Sequence, residues 1–294
     1  MTPRAATAQT TSESALPSVF ASLAQARVIG LAHQLDASMP QMSHAAFEYE
    51  LTDQHGTPPT LPGQRLEISG ASDRVSLGLH AGTHIDSLAH VAYQGRLFDG
   101  TEFASPGVQS RTTGLHPRTG TGLFPIIAPA ILLDFTDYLK APVIPADYAI
   151  SADRLVACAN HCGVTINAGD VVLIRTGWDT LWADPEQYFS GGSPGLTLDA
   201  ARLLAESGIR ATGSDTAPFE LAPDDDPMAV HVELLVRARI PILESLDLRE
   251  LSRSGAYRMG FIAVPLPMPH ATGSPVDPLA LIDHGSAGDS PARG

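Results

Sequence analysis

Residues 80–90 read HAGTHIDSLAH and place His80, His84, Asp86 and His90 in one short segment. Imidazole nitrogens with a carboxylate, and no thiolate among them, are a ligand set suited to Zn²⁺, Mn²⁺ or Fe²⁺. On a helix, at about 100° per residue, Asp86 points away from the face that His80 and His84 share. Gly78 and Gly82 also disfavour a helix. On an extended chain all four positions point to one side. A straight strand spreads His80 and His90 over roughly 33 Å, too far for one ion, so the chain must bend, and Gly82 can supply the bend. His84 and Asp86 then lie about 6.6 Å apart along one strand face, a gap that two side chains can close. Three such ligands leave coordination positions open for water, as a catalytic ion requires. The alternative is a histidine-rich turn satisfied by hydrogen bonds alone.

A second pair lies far downstream. His231 falls on a helix expected over residues 229–238, on the face of Leu234, Leu235 and Ala238, where, taken alone, a histidine is more often a hydrogen-bonded core residue than a ligand. Glu244 shares strand parity with Ile240 and Ile242. A carboxylate buried there without a cation or donors is costly, and a metal ion would account for both residues.

These side chains need a scaffold. The N-terminal half suggests short strands around 28–31, 65–68 and 75–79, followed by a Gly-, Thr- and Pro-rich excursion over 100–124 of the kind that is often functional. The second half alternates strand and helix. Strands are expected at 130–135, at 170–176 (where Val171 to Ile174 form a continuous apolar run), in IRATGS, at 240–246 and at 260–266. Helices are expected from Ser151 to Cys162, with Ser151 as N-cap and Gly163 beyond the end, and from Thr197 to Ser207. This pattern predicts a mixed α/β fold. Residues 1–17 and 284–294 read as disordered tails around one domain spanning 18–283.

Composition narrows the function. Among 294 residues, 44% hydrophobic content supplies a core, and 32 acidic against 18 basic residues give a net charge of −14. That surface repels nucleic acid and anionic membranes. No apolar run reaches the length of a membrane span. The polar start MTPRAATAQTTSESALPS has no apolar core of a secretory signal. Two cysteines, Cys158 and Cys162, exclude a disulfide scaffold and read as small reduced thiols on one helix face, although His161 between them invites a metal reading. A cytoplasmic protein acting on a small molecule is the expectation.

HAGTHIDSLAH resembles the HxGTHxDxPxH motif of the cyclase family of metal-dependent hydrolases, whose members include bacterial kynurenine formamidase and isatin hydrolase. VVLIRTGW (171–178), SPGL (193–196), GSDT (213–216), HVELLVRARIPILESL (231–246) and ATGSPVDPLALI (271–282) resemble further family blocks in the family's order. The resemblance implies a single domain of the swivelling β/β/α type, and a homodimer or homotetramer. It implies one or two divalent ions, zinc or manganese, held by His80, His84 and Asp86. In two-metal members Asp86 would bridge, with His231 and Glu244 on the second ion, and His90 matches the family's proton shuttle. One position departs from the motif: Leu88 stands where the family has proline.

The expected reaction is hydrolysis of a C–N bond in a small amide, lactam or formamide by metal-activated water, with His90 moving the proton. A cyclase, dehydratase or lactone hydrolase on the same scaffold, and a non-catalytic metal-binding protein, are the alternatives. A spare His90 argues against the last. His33 and Phe47 in the N-terminal stretch, and Arg175 and Trp178 at a strand end, are candidates for substrate contact, against simple packing or loop anchoring.

Overall fold

The computed structural model describes residues 23–41, 46–55, 69–189, 191–222 and 227–283. Both expected tails and the strand expected at 65–68 lie outside the described residues.

Among the described residues, nine strands make one mixed sheet. In spatial order they are Ala26–Gly30, Leu279–Asp283, Arg258–Ala263, Ile126–Asp134, Val171–Arg175, Ala211–Ser214, Ile242–Glu244, His84–Asp86 and Gly273–Pro275. The four from Ile126–Asp134 to Ile242–Glu244 run parallel, and the strands on either side pair antiparallel. The apolar run at 171–174 is buried on both faces: Val172 and Ile174 join one core cluster, Val171 and Leu173 the other. That is the environment a continuous apolar strand requires.

Helices Ala152–His161 and Leu198–Glu206 cover one face, burying Leu155, Ala159, Ala201 and Leu204 against Ile131 and Ile174. Ser151 caps the first by accepting from the Arg154 N–H at 3.4 Å, and Gly163 follows in the left-handed region at φ +68°. Cys158 and Cys162 are free and buried in this layer. Among the described residues, no helix is long and apolar enough to cross a membrane.

Three elements differ from expectation. The strand expected at 75–79 is Ser72–Ser76, paired with Glu48–Asp53 in an exposed hairpin; a turn closed by Ala81 N–H to Gly78 O takes the chain onward. The strand expected at 260–266 ends at Ala263, before Pro265, which has no N–H to donate. The helix expected over 229–238 is one α turn, Ala229–His231, continuing as a π-helix over Val232–Ala238, a form enriched at functional sites.

Candidate metal centre

The motif is a strand of three residues between two turns. Gly82 takes φ +66° and turns the chain into His84–Asp86. A second turn follows, closed by His90 N–H to Ser87 O at 3.0 Å, and it returns His90 towards His80, with ring centroids 4.1 Å apart. The strand lies between Ile242–Glu244 and Gly273–Pro275, in a register that sets Glu244 opposite His84 and Gly273 opposite Asp86. His231 reaches the same place from the end of its α turn.

The distances define a centre. Asp86 Oδ1 stands 2.8 Å from His80 Nδ1 and 3.6 Å from His84 Nε2. Asp86 Oδ2 stands 3.4 Å from His231 Nε2. Glu244 closes the ring, 3.5 Å from His84 Nε2 and 3.3 Å from His231 Nε2. Each of these three rings is held at its other nitrogen. His84 Nδ1–H donates to Gly82 O at 2.9 Å, His80 Nε2 meets Thr272 Oγ1 at 2.9 Å, and His231 Nδ1 contacts Glu220 Oε2. This is the arrangement that fixes tautomer and orientation in a metal-ligating histidine. No hydrogen bond from the described residues ties the His90 ring.

The charges are concentrated and buried. Asp86 is 1% exposed, and neither of its oxygens accepts a well-formed hydrogen bond from the described residues despite the ring nitrogens around it. Burial disfavours its charged form, but His231, His80, His84 and His90 outweigh that and hold the carboxyl well below its ordinary range. Burial alone would lower His231; Asp86, Glu220 and Glu244 hold it well above the ordinary histidine value. Burial pushes His90 down to about 4 against the pull of Asp86.

The donors fit a divalent ion. Ligands about 2.1 Å from an ion at tetrahedral angles stand about 3.4 Å apart, close to the separations between these nitrogens and oxygens. The ligand atoms of His80, His84 and Asp86 lie within 4.8 Å of one another, and so do those of Asp86, His90 and His231. Asp86 therefore faces two ligand sets, and its unpartnered oxygens are the feature that hydrogen bonding among the described residues does not explain.

The remaining candidates lie elsewhere. Arg175 is buried in an ion pair with Asp179 at 3.1 Å and stands 3.6 Å from Asp134. Trp178 is buried and donates its indole N–H to Tyr188 O at 3.1 Å. The His33 ring is stacked on Trp182, with centroids 4.0 Å apart, and the His33 backbone N–H donates to Thr83 Oγ1 at 3.0 Å. Phe47 is half-buried, its N–H donating to Gln41 Oε1 at 2.6 Å. Asp215, in the GSDT block, is fully buried and accepts from Thr176 N–H and Gly177 N–H, at 2.9 and 2.7 Å. The excursion over 100–124 packs beside the motif: Ala89 N–H donates to Thr121 O at 3.3 Å, and Leu115 N–H to His270 O at 3.0 Å.

Two site residues escaped the sequence reading. Thr272 and Glu220 sit in irregular segments, so no periodicity marks them.

Comparison with known proteins shows what the chain is similar to. The model of the cyclase family matches residues 29–220. The isatin hydrolase of Roseibium aggregatum is 30% identical over 215 residues, covering 70% of this chain and 73% of that protein. Among solved structures, one described as a novel cyclase superposes with a TM-score of 0.78 at 22% identity, over 90% of this chain and 89% of the other. An isatin hydrolase bound to the product analogue thioisatinate superposes with a TM-score of 0.68 at 24% identity, over 92% and 98%. Sequence match, fold and motif agree that this chain belongs to the cyclase family.

Proposed function

We propose that this chain is a metal-dependent hydrolase that cleaves the C–N bond of a small amide, lactam or formamide. The observation that carries the reading is Asp86: a buried carboxylate without a well-formed hydrogen bond from the described residues, ringed by histidine nitrogens at ligand spacing. The similarity to an isatin hydrolase supports the substrate class, since isatin is itself a cyclic amide.

His80, His84, Asp86, His231 and Glu244 would hold the metal. When bound, it supplies Lewis acidity for a carbonyl oxygen and acidifies water. The chain's own residues do the rest. Burial of His84, Asp86, His231 and Glu244 keeps competing solvent away from that side of the centre. His90, at the edge of the cluster and untied, is placed to take the proton of the attacking water and return it to the leaving nitrogen. Water oxygen bonds to the acyl carbon, the C–N bond breaks, and an acid and an amine result.

The test is a panel of lactams, anilides and N-formyl amines offered to the zinc- or manganese-loaded chain, with product masses read. Gain of one water per turnover, lost on chelation, is the expected result. Turnover without water gain would replace the hydrolase with a cyclase, and a metal-loaded chain inert towards every amide would sink the C–N assignment.

A further inference from the structure

Glu220 belongs to no ligand set, yet it contacts His231 on the side away from the centre. Its side chain is almost wholly buried, and Oε1 has no hydrogen-bond partner among the described residues. A buried carboxylate with one oxygen unsatisfied is costly to keep, so packing alone does not account for it. Phe219, its neighbour, donates its N–H to Glu244 Oε1 at 2.8 Å. One dipeptide thus reaches two of the residues around the centre, one by a side chain and one by the main chain.

The dipeptide is itself held. Glu220 forms a parallel bridge with Leu196, with Leu221 N–H donating to Leu196 O at 3.1 Å and Leu196 N–H to Phe219 O at 3.3 Å. It lies flush on Gly195, where a Cβ would stand 2.2 Å from Glu220 C and 2.4 Å from Glu220 O. Any side chain at 195 would push the dipeptide off its seat.

We propose that Phe219 and Glu220 form a clamp, seated on Gly195, in which Glu220 is a positioning residue of the metal centre. It accepts the Nδ1 proton of His231, fixes that ring's tautomer and turns Nε2 towards Asp86 and Glu244. The proposal rests on the metal-centre reading, and its test reads metal binding rather than turnover.

Zinc affinity is measured by calorimetry on the wild-type chain and on Glu220→Ala and Glu220→Gln, with the melting temperature of each metal-free chain as the folding control. Loss of a partner behind a ligand of this kind weakens metal binding by about 10–100-fold. Glu220→Ala is expected to do so, and Glu220→Gln, whose amide oxygen can still accept from Nδ1, to recover part of the loss. A wild-type chain that binds no zinc overturns the centre itself. A wild-type chain that binds, with Glu220→Ala binding equally well, overturns only the clamp. Long-range ¹H–¹⁵N spectra of the zinc-loaded wild type need no folded variant at 220, since His231→Gln identifies the signal. A proton on His231 Nδ1 is expected, and a proton on Nε2 refutes the assignment.

Discussion

His84 and Glu244 face each other across an antiparallel strand pair, Nε2 to Oε2 at 3.5 Å. The pairing brings the N-terminal motif to the downstream strand, and Asp86, on the same short strand as His84, completes the cluster. Removing Asp86 should therefore remove metal binding. Zinc at about 100 times its Kd stabilises a binding-competent chain by about 2.7 kcal/mol, a rise in Tm of roughly 5 °C or more. The wild type is expected to show that rise and lose it with chelator, whereas Asp86→Ala shows no response. Equal zinc content in the two proteins, read by mass spectrometry, would contradict the centre.

His90 is expected to separate catalysis from metal binding. Replacing a general acid–base group costs about 10²–10⁴-fold in kcat, so His90→Ala should lose that much while at least one ion stays bound. The ring also lies in the second ligand set with Asp86 and His231. Loss of metal on substitution would make His90 a ligand instead of a shuttle.

Arg175 makes its contacts inside the protein. Arg175→Leu leaves Asp179 and Asp134 without their cation, and breaking a buried pair of this kind costs about 3–5 kcal/mol. Urea unfolding should show that loss, with KM unchanged for the folded enzyme at low temperature. A raised KM with undiminished stability would instead return Arg175 to the substrate.

Local chemistry made much of this legible. The strand at 171–175 follows from its continuous apolar run, the helix after Ser151 from its cap and closing glycine, and the bend at Gly82 from the need to gather His80 with His84. The π-helix after His231 was not legible, because apolar spacing over so few residues fits an α-helix equally well. Glu220 and Thr272 were not legible either, because their roles come from tertiary contacts between irregular segments. Leu88, the departure from the family's proline, gains a physical partner in the structure. Gly122, at φ +82°, leaves room that a Cβ would fill, 2.7 Å from Leu88 Cγ. The leucine and the glycine of the excursion fit one another, which neither residue announces alone.

Asp137 supplies a pH test away from the centre. Lys140 at 2.7 Å is the largest influence, and together with His161 at 2.7 Å and Tyr257 at 3.0 Å it outweighs burial and pulls the carboxyl down to about 2. A depressed folded-state pKa contributes stability above the ordinary carboxylate value, lost as pH falls from about 4 to about 2. The side chain is 40% exposed, so solvent screening limits the benefit to about 1 kcal/mol. Asp137→Asn should melt a few degrees below wild type at pH 7, with the gap closing at pH 2. A gap independent of pH would mean the carboxylate's charge contributes nothing.

Gly273 allows the strictest test of how His80 is held. A Cβ there would stand 2.7 Å from His80 Cε1 and 3.0 Å from Ile85 O. The backbone at 273 is outside the left-handed region, so alanine meets no conformational penalty and the collision is its main cost. The carbonyl belongs to the strand that carries His84 and Asp86 and cannot retreat without moving both. The ring is expected to swing and give up its contact with Thr272 Oγ1, since overpacking of this kind costs about 1–3 kcal/mol. Gly273→Ala should then weaken zinc binding by about 10–100-fold, as expected for a misoriented ligand. Gly260→Ala is the control: its Cβ would meet Leu281 at 3.4 Å, near ordinary contact, on a strand several places away in the sheet. Wild-type zinc affinity in Gly260→Ala and loss in Gly273→Ala would establish His80 as a ligand held by its packing. Unchanged affinity in both would place His80 outside the coordination shell.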